Sequence, residues 1–513
     1  MNHSPAADDV ETGSSAVGPP RGLSPSRYDP DRAELGLLVA EVGETAGTAL
    51  PAYRVDQLWQ GLYRDLIGPE DVSTLPKALR GPLANLLPPA LTEATRSVGD
   101  GGDTIKWLWR LADGSLIETV LMHYKDRSTV CVSTQAGCAM ACGFCATGQM
   151  GFDRHLSTGE IVEQVVRAQV EAGDRRVSNV VFMGMGEPLA NYDRTWAAVR
   201  RLHGDLGLSA RHLTISTVGV VPGIRRMATE GLPVNLAVSL HAADDGLRDE
   251  LVPLNRRYPL AELADACQAH VTATGRRLSF EWALIHNVND RLEDAARLAD
   301  YARPLGAHVN LIPLNPTPGW PTRGSPPSRV REFADEVNAR GGNATIRRTR
   351  GTEIDAACGQ LRAERANADS VNADRSVPVA APGRRGNPTP GGNGSSRRQT
   401  GYVERRWINR MHPQTLASAT MLLYIEGIFN LVRGQTLFLV GIAMFPAAWA
   451  IANDRRWGWR LGVGTAGVAV FIRLTWYGFG NPMALAFALL FPVVLLALLI
   501  HPQSREHQKI WFN

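Results

Sequence analysis

The sequence predicts an α/β protein in which parallel strands alternate with helices in a barrel or partial barrel, with a small helical domain before it and four membrane-spanning helices after it. Three observations carry this. Seven short β-branched runs after about residue 129 alternate with segments of helical period, apolar residues recur at helical spacing between 29 and 110, and four long apolar stretches lie beyond residue 411.

A chain of 513 residues is too long for one ordinary domain. Its average composition, 44% hydrophobic with a net charge of +4, conceals a mixed first 360 residues and a very apolar last hundred. Six cysteines are too few for a disulfide scaffold at this length, no secretory signal is read at the start, and three of the six fall within eight positions. A metal site in a reducing compartment is expected.

Residues 1–28 are rich in Ser, Pro, Gly and Asp without apolar periodicity, and are expected to be a disordered tail. Residues 29–110 hold Leu35, Leu37, Leu38 and Val42, then Val55, Leu58, Leu62 and Leu66, at helical spacing, which predicts a small helical domain. Residues 111–361 are expected to form the α/β core, with strands in TVCVS, NVVFM, HLTIST, VNLAVSL, LSFEWAL, HVNLIP and ATIRR. One helix start is explicit: Ser157 followed by Glu160 is a capping box ahead of Ile161, Val162, Val165 and Val166.

Residues 362–410 are Gly, Pro, Asn and Arg rich, a flexible-linker composition. Between Arg375 and Arg410 stand eight arginines against one acid, Glu404, which suits a solvated spacer or attraction to RNA or anionic lipid. Within residues 411–502 the four apolar stretches lie near 413–432, 435–452, 461–478 and 481–500. Arg405, Arg406 and Arg410, then Arg455, Arg456 and Arg460, then Arg505 and Lys509 flank them on one side, so both ends, including the tail 503–513, are expected in the cytoplasm. Glu426 and Arg473 fall inside two of the spans and either pair at similar depth, or Arg473 snorkels and Glu426 stands alone.

In Cys138-Ala-Met-Ala-Cys142-Gly-Phe-Cys145, three thiolates suit three irons of a [4Fe-4S] cube and leave the fourth iron open for a ligand. Zinc ordinarily wants four protein ligands, and no fourth Cys or His stands at suitable spacing nearby. With Phe144 before the last cysteine, this C-x3-C-x-aromatic-C stretch resembles the radical S-adenosylmethionine signature. That resemblance implies a partial (β/α)6 barrel, a cluster on Cys138, Cys142 and Cys145, and S-adenosylmethionine on its open iron. The Gly184-Met-Gly186-Glu187-Pro188 turn follows the second strand, where a Gly-rich backbone lets the cofactor approach.

Two further cysteines narrow the resemblance. Cys131 lies seven residues before the cluster, and Cys358 lies in Arg347-Arg-Thr-Arg350-Gly-Thr-Glu-Ile-Asp355-Ala-Ala-Cys358, while Cys267 sits in a helical stretch as core. With Ser239-Leu240-His241 and Asn310-Leu-Ile-Pro-Leu-Asn315-Pro, these segments resemble the RlmN family of dual 23S rRNA and tRNA adenine-C2 methyltransferases over residues 29–361. The resemblance implies that one S-adenosylmethionine methylates Cys358 and a second yields the radical that activates the S-methyl group, two per turnover. It further implies that Cys131 resolves the RNA adduct through a transient disulfide with Cys358 and that Glu118 removes the C2 proton. Gly186, Glu187, Ser216, Ser239, Leu240, His241 and Asn315 are implied as the S-adenosylmethionine pocket, at the carboxyl ends of the strands. A flavodoxin- or ferredoxin-type reductant is implied as partner, and the N-terminal domain, with Tyr53, Arg54 and Gln57, as an accessory RNA-binding domain. The same machinery suits adenine C8, and a radical enzyme acting on a protein or lipid at the membrane is a different reading. The membrane spans are extra to the family, and put the catalytic domain at the cytoplasmic face of the plasma membrane.

Overall fold

The computed structural model describes residues 26–45, 50–317, 321–347, 350–357, 359–361, 407, 414–433, 436–477, 482–501, 504–505 and 508. Nearly all of the expected tail, nearly all of the expected linker, and Cys358 lie outside the described residues.

Three helices, α1 (Arg32–Thr45), α2 (Tyr53–Gln60) and α3 (Lys77–Leu86), open the described chain. Of the expected apolar positions Leu35, Val42, Leu58 and Leu62 are buried, joined by Val39, Leu79 and Leu83, whereas Leu37 is exposed on the opposite face of α1. The unit is fastened to the core by polar contacts. Asp29 accepts from the Gly159 amide at 2.7 Å, and Arg201 donates to Pro30 O and Tyr63 Oη.

The helical domain ends earlier than its expected boundary at 110. Residues 92–110 are strands β1 (Thr92–Gly99) and β2 (Thr104–Arg110), which continue through β3 (Leu116–His123) into the main sheet. Ile105, Trp107 and Trp109 are buried at period two, a strand pattern that a search for helical spacing passes over.

Next come β4 (Ser128–Cys131), a two-stranded ribbon of β5 (Gln135–Gly137) and β6 (Phe152–His155), and the helices α4 (Ala146–Met150) and α5 (Thr158–Ala172). The Ser157–Glu160 capping box starts α5 as expected. The repeat continues with β7 (Val177–Phe182), α6 (Tyr192–Gly204), β8 (Leu213–Thr217), α7 (Val221–Met227), β9 (Asn235–Ser239), α8 (Asp245–Leu251) and α9 (Leu260–Thr274). It ends with β10 (Leu278–Leu284), α10 (Leu292–Ala302), β11 (His308–Pro313), α11 (Pro327–Ala339) and β12 (Ala344–Ile346).

The ten-stranded sheet runs β1-β2-β3-β4-β7-β8-β9-β10-β11-β12, antiparallel up to β4 and parallel from β4 onward. Seven strands are therefore parallel, one more than the six the resemblance implied, and β1 and β12 are the two edges of an unclosed sheet. Side chains alternate across it. In β10, Phe280 and Trp282 are fully buried, Trp282 against Phe333 of α11, while Ser279, Glu281 and Ala283 line interior cavities.

Four more helices follow: α12 (Gln414–Arg433), α13 (Thr436–Ala452), α14 (Arg456–Tyr477) and α15 (Pro482–Ile500). Two of them, not four, are long and apolar enough to cross a membrane, over Thr415–Val432 and Met483–Ile500 with mean hydropathies of 1.4 and 2.9. Helix α13 has only 17 residues, about 26 Å at 1.5 Å per residue against a hydrocarbon core of about 30 Å. Helix α14 carries Arg456, Arg460 and Arg473, which lower its hydropathy. Glu426 and Arg473 do pair, at 2.5 Å and both buried, and Arg473 also donates to Asn430 at 2.7 Å.

Candidate active site

The cysteine loop leaves β5 and enters α4. The Cys138 amide donates to Gly151 O at 2.7 Å, and the Cys145 amide to Cys142 O at 3.1 Å. From the far end of the core, the Ala146 amide donates to Gly359 O at 2.8 Å and Thr147 Oγ1 to Leu361 O at 2.7 Å. The cluster loop is thus held by the segment that contains residue 358. Gly148 packs so closely that a Cβ there would stand 2.7 Å from Cys142 O.

Cys138, Cys142 and Cys145 open on one cavity of about 160 Å³ at the carboxyl ends of the parallel strands. Burial pushes the thiols of Cys138 and Cys142 well above the ordinary thiol range, as an apolar wall does to a sulfur set in it. Among the described residues no three ligating side chains close on one ion-sized point. Three thiols on one cavity suit a cube, where each thiolate takes its own iron and the fourth iron stays open.

Gly186, Glu187, Ser216, Ser239, His241 and Asn315 line the same cavity; Leu240 does not, being fully buried with its amide donating to Glu281 O. Gly186 has φ +99° and a Cβ there would lie 2.5 Å from Gln135 Cβ, so the turn requires glycine. The Glu187 carboxylate accepts from the Leu189 amide at 3.0 Å and the Val218 amide at 2.9 Å, joining the turns after β7 and β8. Burial raises its carboxyl to about 7. Ser216 and Ser239 face each other with their hydroxyls 3.5 Å apart. His241, at φ +59°, accepts from the Ala283 amide on Nδ1 and meets the Phe144 ring edge-on at 4.7 Å. Burial lowers its pKa to about 3, so the ring is neutral with its proton on Nε2.

Cys131 lines a second, smaller cavity of about 40 Å³ with Ala356 and Ala357. Met183, Ile312, Asn315 and Arg347 line both cavities, so the two adjoin. Cys358 itself lies outside the described residues, but its neighbours divide between the two spaces: Ala357 faces the Cys131 chamber and Gly359 the cluster cavity.

Glu118 differs from its expected setting at a strand edge. It lies in β3, an interior strand, is 3% exposed, and pairs with Lys106 Nζ at 3.0 Å. It lines none of these cavities. It stands two residues from Val120, the register partner of Cys131.

Two residues of the site carried no sequence signal. Gln135 accepts from the Glu187 amide at 2.8 Å. Arg248, 1% exposed, donates to the carbonyls of Val218, Ser239 and Leu240 and to Asn255 Oδ1. In Asp244-Asp-Gly-Leu-Arg248-Asp-Glu it has the composition of a solvated helix face, so only the fold reveals it.

The model of the radical SAM superfamily matches residues 132–299. A probable dual-specificity RNA methyltransferase RlmN of Frankia alni is 51% identical over 361 residues, covering 67% of this chain and 85% of that relative. The protein of the same description from Rhodococcus erythropolis is 51% identical over 363 residues, covering 67% and 97%. A crystal structure of a radical SAM methyltransferase from Sphaerobacter thermophilus is 49% identical, with a TM-score of 0.63 over 66% of this chain and 100% of that one.

Proposed function

The chain belongs to the RlmN family of radical SAM RNA methyltransferases, whose cofactors are a [4Fe-4S] cluster and S-adenosylmethionine, and on that footing we propose that it methylates C2 of adenine in 23S rRNA and in tRNA next to the anticodon. The cluster, when bound, supplies a 5'-deoxyadenosyl radical from S-adenosylmethionine. Cys138, Cys142 and Cys145 hold it, and Gly186, Glu187, Ser216, Ser239, His241 and Asn315 receive the cofactor.

One observation supports the methyl-carrier route most directly: the residues on either side of 358 line the two adjoining cavities, one holding the cluster cysteines and the other Cys131. A thiolate on that stretch of chain would suit a methyl carrier that passes its carbon to RNA and is freed from the adduct when Cys131 forms a transient disulfide with it. C2 of adenine is too electron-poor to attack a methyl sulfonium, which favours a radical carrier. Glu118 is the base of this reading, and Lys106 Nζ stands 3.0 Å from its carboxylate.

Anaerobic reconstitution followed by peptide mapping should find S-methylcysteine at Cys358, and RNA nucleosides should contain 2-methyladenosine. Finding only 8-methyladenosine would move the assignment to C8. Retention of full activity in Cys358→Ala would point to a radical enzyme with another substrate.

The catalytic core is tethered to the membrane in the same reading, with both ends cytoplasmic. Two spans of sufficient length and large exposed apolar side chains such as Phe438, Phe471, Phe487 and Leu490 support this. In cell fractions the full chain should stay with membranes through an alkaline carbonate wash; release into the wash would refute the tether.

A further inference from the structure

The parallel sheet encloses a third space at the opposite end from the cluster. It is a wide cavity of about 620 Å³ at the amino ends of the strands. In closed barrels this interior is packed with branched apolar side chains. Here it is lined by Thr129, Asn179, Thr214, Asn235, Ser279 and Asn310, at least one polar residue from each parallel strand between β4 and β11. The strands turn their apolar residues, such as Val130, Val180, Ile215, Phe280 and Leu311, to the other face, where all five are fully buried. Val181, Met183, Leu236 and Leu278 line the space as well, so it is an amphipathic hollow in which each strand offers a polar group beside apolar walls.

The space is also cationic. Arg127, Arg277 and Arg347 line it against one lining carboxylate, Glu281, with Arg127 also 3.3 Å from the exposed Asp126. Glu281 is 4% exposed and is engaged by Asn310 at 2.8 Å and by Arg347 at 3.7 Å. Arg277 is exposed, and no acidic partner for it occurs among the described residues. Such a rim attracts a polyanion.

It is continuous with the chemistry. Tyr124, Val181, Met183 and Arg347 line both this space and the Cys131 chamber, and Met183, Glu281 and Arg347 line both it and the cluster cavity. At the throat the Tyr124 ring carries two guanidinium groups, Arg127 at 4.4 Å and Arg350 at 4.6 Å from its centroid. An aromatic ring among arginines, between a wide cationic opening and a chamber holding a thiol, has the make-up of a single-strand nucleic-acid funnel.

We propose that substrate RNA enters this barrel from the amino ends of its parallel strands, with Arg127 leaving the Tyr124 face to take a backbone phosphate together with Arg277, and the base stacking on the freed face of Tyr124 as it passes into the Cys131 chamber. The inference rests on the RNA-methyltransferase reading. Cofactor in the cluster cavity and RNA from the amino ends of the strands then approach the Cys131 chamber from opposite sides, so neither blocks the other.

The test uses the full-length reconstituted enzyme and unmodified tRNA transcript, with Arg127→Glu, Arg277→Glu and Tyr124→Ala, and Arg297→Glu on α10 as a charge control away from the opening. Binding followed across a potassium chloride series should weaken roughly tenfold or more for each arginine variant, with the salt slope lower by about one for each phosphate that is no longer neutralised. Tyr124→Ala should raise KM by roughly tenfold through weakened stacking while kcat changes little. Arg297→Glu should bind as the unaltered enzyme does. If the unaltered enzyme methylates the transcript and the three variants bind it equally well, the route is wrong and the methyltransferase reading stands. If the unaltered enzyme neither binds nor methylates RNA, both fall.

Discussion

Arg248 donates to the Val218 carbonyl at 2.7 Å and to the Leu240 carbonyl at 3.0 Å, so one buried guanidinium fastens the turn after β8 to the turn after β9. Ser216 and Ser239, whose hydroxyls face the cofactor cavity, sit just before those turns. The charge is neutralised only at a distance, through Asn255, whose amide donates to Asp245 at 2.9 Å and Asp249 at 2.8 Å. Arg248→Met should cost about 3 kcal/mol or more, because buried carbonyls lose a charged donor at roughly 1–3 kcal/mol each. It should also weaken S-adenosylmethionine binding more than RNA binding. Chemical denaturation and ligand titration check both, and a loss below about 1 kcal/mol would show the carbonyls finding other donors.

Gly148→Ala should hinder cluster loading. Its Cβ would meet the Cys142 carbonyl at 2.7 Å, and backbone cannot swing aside as a side chain can. The loop would have to shift by several tenths of an ångström, moving Cys142 relative to Cys145. Iron and sulfide content after reconstitution should fall, with the visible iron-sulfur absorbance falling in step, while the helical content of the protein stays the same. Full loading would mean the loop has slack that its hydrogen bonds conceal.

Glu187 gives a pH dependence whose sign is fixed by burial. Its carboxyl rises from 4.5 to about 7 on folding, so the folded cofactor-free protein holds a proton that the unfolded chain has released. Stability from this group is present below about 4.5 and is lost as pH rises through about 7. A shift of this size corresponds to about 3 kcal/mol. Glu187→Gln, which carries no charge to desolvate, should therefore gain on the unaltered protein by up to that amount as pH climbs across the window. Parallel stability curves for the two proteins would show that the carboxylate is already satisfied by the Leu189 and Val218 amides.

Much of the core is legible in the sequence because its signals are local. The Ser157–Glu160 capping box and the β-branched runs depend on neighbours within a few residues and stand in the structure, and the three closely spaced cysteines line one cavity. The resemblance implies the cofactor pocket, and six of its seven residues line one cavity. What the sequence hides depends on partners far along the chain. Glu118 reads as a lone acid until β2 brings Lys106 against it, and Arg248 reads as a surface charge until three carbonyls surround it. Strands β1 and β2 read as part of a helical domain because β1 buries only Gly99 and β2 only alternate apolar residues, too few to outweigh the helical pattern before them.

The charged pair in the C-terminal helices yields a prediction about removal of one partner against removal of both. Glu426 and Arg473 lie 2.5 Å apart, each 2% exposed at its side chain, and Asn430 accepts from the same guanidinium. Taking either charge away alone leaves the other buried and uncompensated, which costs about 3–5 kcal/mol in soluble proteins. Glu426→Leu and Arg473→Met made singly should therefore lower the detergent-solubilised stability of the full chain sharply, whereas the double variant should recover most of the loss because no lone charge remains. Thermal unfolding in mild detergent reads the difference. Additive losses in the double variant would mean that the two groups are solvated independently, as two side chains reaching separate aqueous surfaces would be.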